Sequence, residues 1–165
     1  MRHIGVISDT HGYLDARVFE HFKDCDEIWH AGDFGTMEVS DQLAEFKPLK
    51  GVYGNIDNHE IRKVHPLEQE FTVESVKVFM IHIGGKPGRY DASIVERLNN
   101  GTPDIFVCGH SHLLRVEKDK RFSNMLYLNP GAAGITGQHE TRTIVRFHID
   151  EGQMGGMEVI ELQPR

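Results

Sequence analysis

Three apolar runs near the start of the chain, HIGVIS (3–8), EIWHAGD (27–33) and LKGVYG (49–54), alternate with stretches whose apolar residues recur at helical spacing. The intervening segments are LDARVFEHFKD (14–24), with Leu14, Val18, Phe19 and Phe22 on one stripe, and EVSDQLAEF (38–46). A β-α-β-α-β order forces parallel strands, because the chain must cross back over the sheet between them. The run HIGVIS is compact and β-branched before an abrupt turn, so it reads as a buried strand.

Further along, EFTVES (70–75) and VKVFMIH (76–82) read as a hairpin, YDASIVERLNN (90–100) as a third helix and DIFVCGH (104–110) as another strand. LLRVEKDK (113–120), NMLYLNP (124–130), TRTIVRFHI (141–149) and MEVIEL (157–162) are strand-like with turns between. A parallel α/β layer leading into mostly antiparallel strands predicts an α/β fold of two packed mixed sheets flanked by helices. With 165 residues, 39% of them hydrophobic, the expectation is one domain over 1–165 with a real core.

Several apolar runs end in metal-binding residue types. ISDTH supplies Asp9 and His11, WHAGD supplies Asp33, VYGNID supplies Asn55 and Asp57, VFMIH supplies His82, and FVCGHSH supplies His110 and His112. Loops at the carboxyl ends of parallel strands share one edge of a sheet, where ligands bind. A lone Asp after a strand is an ordinary cap or turn residue; five strand ends of this kind are not. Oxygen and imidazole donors without thiolate suit Mn, Fe, Zn or Ni in an open site better than a structural zinc. Seven donors, Asp9, His11, Asp33, Asn55, His82, His110 and His112, suffice for two ions sharing a carboxylate, the arrangement that clamps a phosphoryl transfer. Of the remaining histidines, His3, His21, His65 and His148 read as surface residues, and His30 as support for the metal shell.

SDTHG, HAGD, GN, a strand-terminal His, GHSH and NPGAAG stand in the order seen in the calcineurin-like metallophosphoesterase superfamily, which residues 4 to 134 resemble. The short length and NPG segment resemble its small single-domain phosphodiesterase branch, a fold shared with a retromer scaffold subunit. The resemblance implies that Asp9, His11 and His112 hold one ion, that Asn55, His82 and His110 hold the other, and that Asp33 bridges them. It further implies in-line attack by a metal-bridging hydroxide on a small phosphate ester, with Asp33, Asn55 and His82 as catalytic positions and manganese as the expected metal. Asn55 and His59 are the candidate substrate contacts, although His59 reads first as an exposed residue at the start of a helix.

Two positions depart from the family pattern. Many members carry His directly after the Asn; here that residue is Ile56, which transfers no proton. Small phosphodiesterases of the branch commonly lack this His and have Asp two after the Asn, as Asp57 is here; Asp57 reads equally as orienting a ligand or as a turn residue. The family usually has Gly after the strand-terminal His, where this chain has Ile83. Ile56 favours a phosphodiesterase over a phosphomonoesterase or nucleotidase, and a non-catalytic scaffold of the same fold is the third reading.

Composition narrows the partners. A formal net charge of -7 repels polyanions at long range and argues against general nucleic-acid binding. Cys25 and Cys108 are too few for a disulfide framework. Without a signal peptide or an apolar run near ~18 residues, the expectation is a cytoplasmic protein with no membrane contact. A homodimer stays open, two-fold dimers being the commonest oligomers.

Overall fold

Strands covered on both faces determine the layering. In a computed structural model describing residues 1–163, ten strands form two five-stranded sheets. The first contains β1 (Arg2–Ile7), β2 (Glu27–His30), β3 (Leu49–Gly51), β9 (Thr143–Asp150) and β10 (Gln153–Glu161), in the order β10-β9-β1-β2-β3. The second contains β4 (Glu68–Val73), β5 (Val76–Ile81), β6 (Ile105–Val107), β7 (Arg115–Asp119) and β8 (Met125–Asn129), in the order β4-β5-β6-β8-β7.

Side chains on successive strand residues point to opposite faces, and the core follows that period. Ile4, Val6 and Trp29 of the first sheet meet Val78, Met80, Ile105, Val107, Leu126 and Leu128 of the second in the layer between the sheets. The alternate residues Ile7 and Ile28 face α1 (Arg17–His21), α2 (Met37–Phe46) and α3 (His59–Val64), packing on Val18, Leu43 and Ile61. Phe79, Phe106 and Tyr127 face Ile94 and Leu98 of α4 (Ala92–Asn100). The order of layers is thus helices, sheet, sheet, helix. Among the described residues no helix is long and apolar enough to cross a membrane.

Four readings of the sequence change. The helix expected from residue 14 starts only at Arg17, because the Asp15 carboxylate accepts from the Arg17 N–H at 2.9 Å and from Arg142 at 2.9 Å. A fourth helix, α3, follows Asn58, whose side chain accepts from the Ile61 N–H. The second half is less antiparallel than expected: β5 pairs parallel with β6, and β6 with β8, because β7 crosses to the outer edge. His65 is not on the surface. It is buried, 2.8 Å from Ser40 Oγ, and its ring stacks on Phe34 at 4.5 Å.

β1, β2 and β3 run parallel, as do β5, β6 and β8. The loops leaving these strands are tied across the sheets. Asp9 N–H donates to the Gly32 carbonyl and His11 N–H to that of Asp33, while Gly109 N–H donates to that of His82, all at 3.0 Å. This edge is where the candidate ligands meet.

Candidate metal centre

Five of the candidate ligands adopt backbone angles that side chains rarely accept. Asp9 (φ 53), His11 (φ 48), Asp33 (φ 61), His110 (φ 73) and His112 (φ 64) all lie in the left-handed region. Asp and His tolerate that region better than most residues, but its recurrence marks a site where surrounding structure holds the strain. Glycine is needed where loops approach closely: a Cβ at Gly54 would collide with the carboxylate of Asp33, and one at Gly109 with Ser8 Oγ.

The carboxylates are divided between anchoring and ligation. Asp9 Oδ2 accepts from Ser8 Oγ at 2.6 Å and from the His110 N–H at 3.1 Å. Its Oδ1 is buried with no hydrogen-bond partner among the described residues, and faces His112 Nε2 at 3.2 Å and His11 Nε2 at 3.7 Å. Asp33 Oδ1 accepts from the Ile56 N–H at 3.1 Å, leaving Oδ2 3.2 Å from His82 Nε2 and 3.4 Å from His11 Nε2. Asn55 Oδ1 lies 3.1 Å from His82 Nε2 and 3.0 Å from His110 Nδ1. All seven predicted residues therefore converge.

Two groups of donor atoms able to hold a metal ion result: Asp9, His11 and His112 in one, Asp33, His82 and His110 in the other, with each group's atoms within 4.8 Å of one another. Among the described residues, buried Asp9 Oδ1 and His11 Nε2 lack hydrogen-bond partners, so a cation between them would satisfy both. The donors are carboxylate, amide oxygen and imidazole, which suits divalent transition ions. Burial acts to raise the Asp9 and Asp33 carboxyls, yet the adjoining histidines, His11 first, hold both far below the usual carboxylate range. The Asp33 carboxylate, and behind it that of Asp9, draws the His11 imidazole up to about 9.

A second ring of contacts orients these groups. His82 Nδ1 donates to the Ala31 carbonyl at 2.7 Å, which leaves Nε2 free to ligate. His30 is buried, stacks on Phe34 at 3.7 Å, accepts from the Gly32 N–H through Nδ1 and donates through Nε2 to Thr10 Oγ1. Thr10 in turn donates to the Phe34 carbonyl. Burial pushes His30 down to about 3, so it stays neutral within this network. Asn129 donates to the Gly109 carbonyl and to Ser111 Oγ, both at 3.1 Å, bracing the loop that carries His110 and His112.

Asp57 carries a role that spacing alone left undecided between orienting a ligand and making a turn. Its buried carboxylate accepts from the N–H groups of Gly54 (2.8 Å), Gly35 (2.9 Å) and Phe34 (3.2 Å), joining the Asn55 loop to the Asp33 loop. His59 lies exposed at the start of α3, and its side chain has no hydrogen-bond partner among the described residues. Cys108 is buried and its thiol is pushed up to about 12, so it packs as core.

Residues 1–152 match the calcineurin-like phosphoesterase superfamily domain. The chain belongs to this superfamily. A probable metallophosphoesterase of Methanothermobacter thermautotrophicus is 33% identical over 138 residues, covering 80% of this chain and 77% of that protein. Among solved structures, an archaeal phosphodiesterase superposes with a TM-score of 0.74 at 22% identity, over 97% of this chain and 99% of its own. Chaetomium thermophilum Vps29 gives 0.76 at 16% identity, over 98% and 97%. At such identities these two establish the fold, two mixed sheets with four flanking helices. The superfamily and the homologue make the chain a metal-dependent phosphoesterase.

Proposed function

We propose that the chain is a binuclear phosphodiesterase, built as one domain over residues 1–165, in which Asp33 serves both metal sites. The observation that carries this reading is the position of Asp33 Oδ2, 3.2 Å from His82 of one donor group and 3.4 Å from His11 of the other. Asp9, His11 and His112 would hold the first ion, and Asn55, His82 and His110 the second, with manganese the expected metal. When bound, two such ions supply the Lewis acidity that activates a water and neutralises developing phosphoryl charge.

The protein's own part is positioning. The Ala31 carbonyl fixes the tautomer of His82, Ser8 and the His110 N–H hold Asp9 Oδ2 so that Oδ1 faces the histidines, and Asp57 sets the distance between the Asp33 and Asn55 loops. Asn55 stands exposed at the mouth of the site, where its amide can also meet a phosphoryl oxygen. Ile56 offers no proton to a leaving group, which favours diesters with stable phenoxide leaving groups over esters with poor alkoxide leaving groups.

Hydrolysis of matched 4-nitrophenyl phosphodiester and phosphomonoester substrates with added Mn²⁺ tests the reading, with Asp33→Asn run alongside. Diester turnover that requires Mn²⁺ and disappears in the variant supports it. Faster monoester turnover would favour the nucleotidase alternative, with His59 the next residue to replace. Bound metal without turnover of either ester would favour the scaffold alternative.

A further inference from the structure

A groove of about 630 Å³ opens beside His110 and is lined by Ile83, Leu113, Leu114 and Tyr127. That volume falls within the range of small-molecule sites, roughly 300–1,000 Å³, and is far larger than one phosphoryl group requires. Lys86 and Arg89 also line it, and among the described residues neither side chain has an ion pair or hydrogen bond. Arg115, a third cation there, is already tied to Glu117 at 2.7 Å. The lining carries one carboxylate, Asp91, against the two free cations. A locally cationic groove with apolar walls is thus set into a chain of net charge -7.

The groove's shape is fixed from below. Tyr127 Oη donates to the Gly85 carbonyl at 2.6 Å and accepts from the Cys108 thiol at 3.0 Å. These bonds pin the Gly84–Gly85 turn that carries Ile83 into the wall and Lys86 onward. His110 belongs both to this lining and to the donor group containing Asp33 and His82. A phosphoryl group held at that centre would therefore extend an ester substituent directly into the groove.

We propose that the groove binds one organic arm of the scissile phosphodiester, and that this arm is apolar and bears a second anionic group met by Lys86 and Arg89. The inference rests on the phosphodiesterase reading for its reaction, but the groove's preference for an anionic aryl arm can be read without turnover. Leu113 and Leu114 are 66% and 40% exposed, so covering them with such an arm removes apolar surface from water. A charge-assisted hydrogen bond to either cation discriminates against an arm lacking the anion by about tenfold or more.

The test compares 4-nitrophenyl phenyl phosphate with 4-nitrophenyl 3-carboxyphenyl phosphate in wild type and in a Lys86→Ala/Arg89→Ala double variant. In parallel, calorimetry measures binding of phenyl phosphate and 3-carboxyphenyl phosphate to the Asp33→Asn protein, with and without the two further substitutions. The expected result is a preference for the carboxylated arm of about tenfold or more, seen in KM and in calorimetric affinity, that collapses to near unity when both cations are removed. Equal handling of the two arms by wild type, or a preference that survives the double variant, overturns the inference. Should neither diester turn over while the calorimetric preference and its loss are both observed, the reaction assignment fails and the anion-binding groove stands.

Discussion

The backbone N–H of Ile56 donates to Asp33 Oδ1 over 3.1 Å. The residue at the position where many relatives hold a proton donor thus anchors the shared carboxylate through its backbone, while its side chain is exposed. Backbone anchoring is independent of the side chain, so Ile56→His should keep Asp33 in place and add an imidazole at the mouth of the site. General acid catalysis typically contributes about 10²–10⁴-fold. Turnover of alkyl phosphodiesters should rise by about tenfold or more, and turnover of 4-nitrophenyl esters, whose leaving group needs no proton, should change much less. An equal change on both substrates would show that the new imidazole does not act as an acid.

Asp57 satisfies three backbone donors on two loops from a buried position. Asp57→Ala leaves the N–H groups of Phe34, Gly35 and Gly54 without that partner, and a buried unsatisfied donor costs about 1–3 kcal/mol. At the lower end of that range for three donors, the expected loss is on the order of 3 kcal/mol in the free energy of unfolding, measured by urea denaturation. Metal affinity should fall as well, because Asn55 and Asp33 sit on the two loops this carboxylate joins. A variant with wild-type stability, or one with wild-type metal affinity, would contradict this account of Asp57 as the link between the loops.

Much of this was visible in the sequence for a definite reason. Strands buried on both faces, such as β1, β6 and β8, leave continuous apolar runs, and each run stops where the chain turns towards the site. The donors Asp9, His11, Asp33, Asn55, His82, His110 and His112 follow those stops directly. What escaped detection depends on contacts remote in the chain. His65 is buried because Phe34 and Ser40 receive it, and neither is its neighbour in sequence. The positive φ of Asp9, His11, Asp33, His110 and His112 left no mark, since such angles do not force glycine where Asp or His is tolerated. The helix α3 spans only six residues, too short for a periodic signal, so that only its start at His59 was legible and its extent was not.

The electrostatics of the centre predict opposite pH responses for metal-free and metal-loaded protein. In metal-free protein His11 is raised to about 9 by the carboxylates of Asp33 and Asp9, above the ~6.5 of an unfolded histidine. A raised histidine contributes stability that is fully present below the unfolded value and is lost as pH climbs through the folded one. His82 works in the same direction: burial acts to lower it, but Asp33 and then Asp9 carry it above its ordinary value. Protein treated with EDTA should therefore lose stability between pH 6.5 and 9. Metal binding has the reverse dependence, because an imidazole must shed its proton before it ligates. Over the same interval the rise in melting temperature produced by a fixed Mn²⁺ concentration should grow. Thermal unfolding across this pH range, with EDTA and with Mn²⁺, checks both limbs. A metal increment that stays flat as the pH rises would mean that protons do not compete with the ion at His11 and His82, and the cluster would then not be the metal site.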